Sequence, residues 1–171
     1  GKFVTPGVID IHSHLGVYPS PAVDAHSDGN EMTSPVTPHV WAEHSVWPQD
    51  PGFGRALANG GVTTLQILPG SGNLFGGRSV ILKNVQARTM QGMKFPGAPY
   101  GLKMACGENP KRVYGAKGRE PSTRMGNMAV DRQTWIKARE YQKKRAAGKE
   151  QTRDLGMETL ADALEGKILV Q

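Results

Sequence analysis

The sequence has one cysteine in 171 residues, which excludes an internal disulfide and any cysteine-based zinc cluster. That residue, Cys106, reads as a small buried hydrophobe. Nothing beside it marks a nucleophile, because all five histidines lie at or before position 44. No apolar run is long enough to cross a bilayer and no signal peptide opens the chain, so no membrane partner is expected and the compartment stays open. Residue 1 is Gly rather than Met, and the gene product is expected to begin upstream. There is no internal repeat. A chain of 171 residues suffices for one domain with a real core, yet is shorter than the ~250 residues of a complete eight-stranded α/β barrel.

What is present is glycine, proline and an uneven charge. Twenty-two Gly and 12 Pro beside 37% hydrophobic residues describe a loop-rich globular protein. The net charge of +6 is split: residues 1–85 carry 4 Lys and Arg against 6 Asp and Glu, residues 86–171 carry 17 against 9. A basic half can signal nucleic acid. Here the excess sits on a predicted helix and its flanks with no nucleic-acid signature beside it, so a solvated helix face accounts for it.

The segment GVIDIHSHLG, residues 7–16, is a β-branched run ending in two histidines. On a strand, Val8, Asp10, His12 and His14 share one face and Ile9, Ile11, Ser13 and Leu15 the other. Burying two imidazoles and a carboxylate together is costly without a partner. A metal ion is one such partner, with Asp10 orienting a ring from behind; a hydrogen-bonded histidine pair in a loop is the other.

Residues 17–54 follow, rich in Pro, Ser, Asp and His. Six prolines block long regular elements there, and so long an insertion after a strand is usually functional. His26, His39 and His44 lie in it, where solvent exposure or contact with substrate are both open. A short helix, a Gly-Gly stop and a strand near 62–68 come next, then strands at 79–85 and 100–107. Ser122 is a plausible N-cap for a helix over about 123–147, with Met125, Met128, Trp135, Ile136 and Tyr141 on its apolar side. A helix over roughly 156–164 feeds KILVQ, a strand just begun. Helices alternating with apolar strands predict βα units in a mostly parallel sheet.

Two motifs compete for the chemistry. GNLFGGRS, residues 72–79, fits a phosphate-binding loop with Arg78 in place of the usual Lys, which makes a nucleotide binder one alternative. Against it, Arg is no conservative substitute for that Lys, and Val80, Ile81 and Leu82 favour strand over the helix whose N-terminus must hold phosphate.

The other motif is the HxH strand. GKFVTPGVIDIHSHLG resembles the opening strand of the metal-dependent amidohydrolase superfamily, where a PGxxDxHxH pattern introduces the metal site. GGVTTLQILPGSGNLFGGRSVILKN and GLKMACGENPKRVYG resemble the following units of its imidazolonepropionase-like and prolidase-like branch. The resemblance implies an α/β fold, a partial TIM (β/α)8 barrel comprising roughly the first four to five strands. Residues 17–54 would then be an active-site loop, and a flanking β-domain and the second half of the barrel would lie outside residues 1–171.

By the same resemblance, His12 and His14 are metal ligands for one or two divalent ions, most simply Zn2+. Glu108 is the middle-strand ligand, with Lys103 the alternative. The expected Asp and later His ligands have no counterpart here. Gly-rich PGSGNLFGGR would line the pocket mouth, with Asn73 and Arg78 as substrate contacts. The implied activity is hydrolysis of a C–N bond in a small amide, cyclic amide or dipeptide through a metal-activated water. A non-catalytic barrel portion with a binding role is the remaining alternative. No specific nucleic-acid partner is expected, and a homo-oligomer is compatible.

Overall fold

A computed structural model describes all of residues 1–171. One five-stranded sheet organises it, with strands β1 (Val8–Ser13), β2 (Val62–Ile67), β3 (Phe75–Lys83), β4 (Gly101–Met104) and β5 (Leu169–Val170) adjacent in that order. β1 pairs with β2 in parallel, as β4 does with β5. β3 is antiparallel to both its neighbours, which corrects the expectation of βα units throughout. The reason is local: residues 68–74, between β2 and β3, hold no helix, so the chain must return as a hairpin. The first half of β3 pairs with β4 and its second half with β2, and that handover curls the sheet into half a barrel.

A bulge at Phe75–Gly77 starts β3. Gly77 has φ +111°, and a Cβ there would stand 2.4 Å from the Val40 carbonyl oxygen, so only glycine fits.

The helices are α1 (Pro51–Gly60), α2 (Met90–Met93), α3 (Glu108–Gly115), α4 (Arg124–Ala146) and α5 (Leu155–Leu164). Asp50 caps α1 by accepting from Gly52 N at 2.9 Å. It also accepts from Gly16 N at 2.8 Å and Ser20 N at 3.3 Å, so one buried carboxylate ties the helix start to the turn after β1. Pro51 at the first helical position and Gly61 at φ 61° complete the expected start and stop.

Two apolar clusters lie outside the curl. Val17, Phe53, Leu65, Ile67, Val80, Leu82, Met90 and Met93 pack the β2–β3 half. Leu74, Phe75, Leu102, Ala138, Leu160 and Ile168 join β4 to α4 and α5.

Helix α4 begins one residue later than expected, capped by Thr123, which accepts from Gly126 N at 3.0 Å, and not by Ser122. Its inward face is the larger correction. Met125, Met128 and Ile136 are 79%, 54% and 52% exposed, whereas Asn127, Asp131, Thr134 and Ala138 are buried. Of the apolar side expected from sequence, Trp135 packs edge-on against Phe75, at 5.3 Å between ring centres. Small and polar residues face inward because Asn127 Nδ2 satisfies the Cys106 and Gly107 carbonyls, at 2.7 and 3.0 Å, in the loop leaving β4. Cys106 itself is exposed, not buried as its type suggested, since it lies in that loop rather than on the strand.

Candidate active site

The forward ends of β1, β2, β4 and β5, with the start of β3, share one end of the half barrel. Inside the curl several polar side chains meet. Gln66 Nε2 donates to Ser79 Oγ at 2.8 Å, and that oxygen also accepts from Gly101 N at 2.9 Å. Gln171 Nε2 reaches from the end of β5 to the Ile11 carbonyl of β1 at 2.6 Å.

His12 and His14 stand edge to face with ring centres 5.4 Å apart, side by side as the alternation of a strand requires. His14 Nδ1 lies 2.9 Å from the Leu68 carbonyl oxygen. A carbonyl only accepts, so Nδ1 carries a hydrogen, and in the neutral ring the lone pair then lies on Nε2. The Leu68 N–H in turn donates to Ser13 O at 3.0 Å, which fixes that carbonyl beside β1. His12 is held below the usual histidine range by partial burial first, then by the Lys103 ammonium and by His14, against an opposing pull from Asp10. The shift on His12 favours the form of its ring that can donate an electron pair.

Asp10 does not orient a ring. Its Oδ1 accepts from the His12 backbone N–H at 3.0 Å, so it fixes the main chain that carries the first histidine. The orienting group is the Leu68 carbonyl, which a sequence pattern of side chains cannot display.

Lys103 sits on β4, 4% exposed, and burial lowers its ammonium below the usual lysine range. Leu102 turns outward into the α4–α5 cluster, so Lys103 turns inward, close enough for its charge to depress His12. Glu108 opens the first turn of α3 and is exposed. No three His, Cys, Asp or Glu side chains converge within reach of one metal ion, so Glu108 does not join the histidine pair.

The two expected substrate contacts have structural duties instead. Asn73 is 1% exposed. Its Nδ2 donates to Thr37 Oγ1 at 2.8 Å, to Ser34 O at 3.1 Å and to Glu31 O, and its Oδ1 accepts from Asn30 Nδ2. It pins residues 30–37 of the long loop over the β2–β3 turn, with no polar atom left for a ligand. Arg78 points outward from β3, donating from Nε to Thr159 Oγ1 at 2.9 Å and from Nη2 to Asp162 Oδ2 at 2.8 Å. With 72–79 in a hairpin and no helix after it, no phosphate-binding loop forms.

The loop histidines are also accounted for. His26 packs on Trp47 at 4.6 Å between ring centres, His44 stacks on Trp41 at 6.0 Å, and His39 is exposed. One aromatic beside the pair went unnoticed in the sequence: Tyr18, whose ring meets His14 edge to face at 5.7 Å.

No family model matches the chain. It is 37% identical over 135 residues to the Amidohydrolase tasK of Hapsidospora irregularis, an alignment spanning 74% of this chain and 14% of that protein. The crystal structure of an amidohydrolase from Thermotoga maritima MSB8 superposes with a TM-score of 0.88 at 45% identity, over 96% of this chain and 43% of that one. The chain therefore spans less than half the length of either relative, and it shares its mixed α/β half-barrel architecture with the solved one.

Proposed function

We propose that this chain forms the metal-binding first half of an amidohydrolase, a hydrolase of C–N bonds, built on a TIM-type barrel. Both relatives bear the name amidohydrolase, and the reading rests on one observation above the rest: His14 Nδ1 is committed to the Leu68 carbonyl, which leaves Nε2 as the free nitrogen beside a second imidazole. His12 and His14 would hold a divalent cation such as Zn2+, with Lys103 as a middle-strand donor only once it has lost the proton that burial already loosens. Glu108, the first choice from sequence, is exposed in the first turn of α3, which favours buried Lys103 for that role.

When bound, such an ion supplies Lewis acidity, polarising a carbonyl and lowering the pKa of water to about 7. The chain's own residues position and desolvate. The Leu68 carbonyl holds the His14 ring, Asp10 holds the His12 backbone, and partial burial, helped by the Lys103 charge, lowers the proton affinity of His12. The polar inner wall of Gln66 and Ser79 offers hydrogen bonds to a small amide, cyclic amide or dipeptide, the substrate class we assign.

Elemental analysis after dialysis against zinc-free buffer tests this reading. Near-stoichiometric metal is expected in the wild type and in Glu108→Gln. It should be lost in the His12→Ala/His14→Ala double variant and reduced in Lys103→Met. Metal retained by the double variant, or absent from the wild type, overturns it.

A further inference from the structure

We infer that Tyr18 is a catalytic residue of this site, a hydrogen-bond donor to the oxygen of the substrate's scissile carbonyl; this rests on the amidohydrolase reading above. The Val17 and Tyr18 N–H groups both donate to the His14 carbonyl, at 3.2 and 3.1 Å, so a tight turn fixes Tyr18 to the second histidine. Its ring stands edge to face with the His14 imidazole at 5.7 Å. It is 46% exposed, which is the wrong place for a core aromatic.

The surroundings are shaped to receive that side chain. A Cβ at Gly29 would fall 2.3 Å from the Tyr18 ring atoms Cε2 and Cζ, and a Cβ at Gly70 would fall 2.6 Å from its hydroxyl oxygen. Neither glycine has a positive φ, so a side chain at either position would act by displacing the Tyr18 ring from its place. The two walls are joined by the Gly70 N–H donating to the Gly29 carbonyl at 2.7 Å. One wall comes from the long loop and the other from the β2–β3 turn, so two distant segments converge on one phenol.

The slot holds the ring but leaves the hydroxyl unused: Tyr18 Oη makes no hydrogen bond within the protein, whereas the other phenols Tyr100, Tyr114 and Tyr141 all do. A neutral phenol has one O–H to donate. Held rigidly beside His14, that donor is preorganised for negative charge developing on a carbonyl oxygen, the arrangement that accelerates acyl transfer. A core tyrosine would pair its hydroxyl; this half-buried one does not.

The test compares the zinc-loaded wild type with Tyr18→Phe, measuring metal content, melting temperature and, by calorimetry, the affinity for inorganic phosphate as a tetrahedral oxyanion probe. Tyr18→Phe keeps the ring in its slot, so metal content and melting temperature should match the wild type. Phosphate should bind about tenfold more weakly, the loss of one hydrogen bond to a charged acceptor. Equal phosphate affinity in the two proteins, or no phosphate binding by the metal-loaded wild type, overturns the role of Tyr18 while leaving the metal site standing. A wild type that takes up no metal overturns the amidohydrolase reading and the inference with it.

Discussion

Arg78 and Asp162, 84 residues apart in sequence, form an ion pair at 2.8 Å that fastens α5 to the outer face of β3. Thr159 takes the guanidinium Nε at 2.9 Å, and the group lies 4.7 Å from the centre of the Trp41 ring and 5.8 Å from that of Tyr100. Arg78→Ala should lower unfolding stability by about 2 kcal/mol, below the 3–5 of a fully buried pair because Asp162 keeps a third of its side chain in water. Arg78→Lys should recover little, since an ammonium cannot fork to two acceptors and stack as well. Urea denaturation of the three proteins checks both expectations, and metal content should not change in either variant.

The history of Arg78 shows where the sequence was readable. Period-two alternation put His12 and His14 on one face, apolar runs marked every strand, and Asp50, Pro51 and Gly61 bounded α1 as their chemistry requires. Arg78 is hard to place because its Gly-rich neighbourhood suggests a mouth, while its register opposite Leu102, which packs outward, turns its side chain to the outside. Helix α4 was misread because apolar residues were assigned inward, and the buried positions are those whose size or amide suits a close approach to the β4 loop. The Leu68 carbonyl could not be read at all, being a main-chain atom brought to His14 by β1–β2 pairing. That Lys103 lies on β4 and Glu108 on α3 follows from where β4 ends, a boundary a few residues wide that composition does not fix.

Asn73 holds the long loop through both ends of its amide, so truncation should release the loop before it unfolds the domain. Asn73→Ala leaves the Asn30 amide and the Ser34 carbonyl without their partner. A cost of roughly 2–4 kcal/mol is expected for such a network. Limited proteolysis should show earlier cleavage within 17–54 than in the wild type, with cleavage elsewhere unchanged.

Asp131 provides the pH dependence. Burial pushes its carboxyl up to about 6 from an ordinary value of 3.8, and its Oδ1 has no hydrogen-bond partner. Below pH 3.8 both folded and unfolded chains hold the proton. As pH rises from there through about 6, the unfolded chain releases it first, so stability falls and then levels off. Ionised Asp131 costs on the order of 3 kcal/mol at most. Asp131→Asn, which carries no charge, should be more stable than the wild type at pH 7 and equal to it near pH 3.5. Paired melting curves across that range isolate the effect, and a constant difference between the two proteins contradicts it.

Open sheet edges set the behaviour of residues 1–171 on their own. β1 and β5 end the sheet, and each shows large apolar side chains to solvent: Ile9 is 66% and Ile11 64% exposed, Leu169 67% and Val170 51%. Unpaired N–H and C=O groups beside such side chains are a template for another strand. Sedimentation at increasing concentration should show this stretch self-associating. Ile9→Lys/Ile11→Lys should suppress association, because lysines on an edge strand penalise edge-to-edge pairing. The metal content should stay at the wild-type level, since the Ile9 and Ile11 side chains lie in solvent outside the histidine pair. Association undiminished by the two lysines would shift the contact to β5, where Leu169→Lys provides the matching test. A monodisperse monomer at every concentration would mean that neither edge is sticky and that the curl itself, with Gln171 reaching back to Ile11, shields the strand ends.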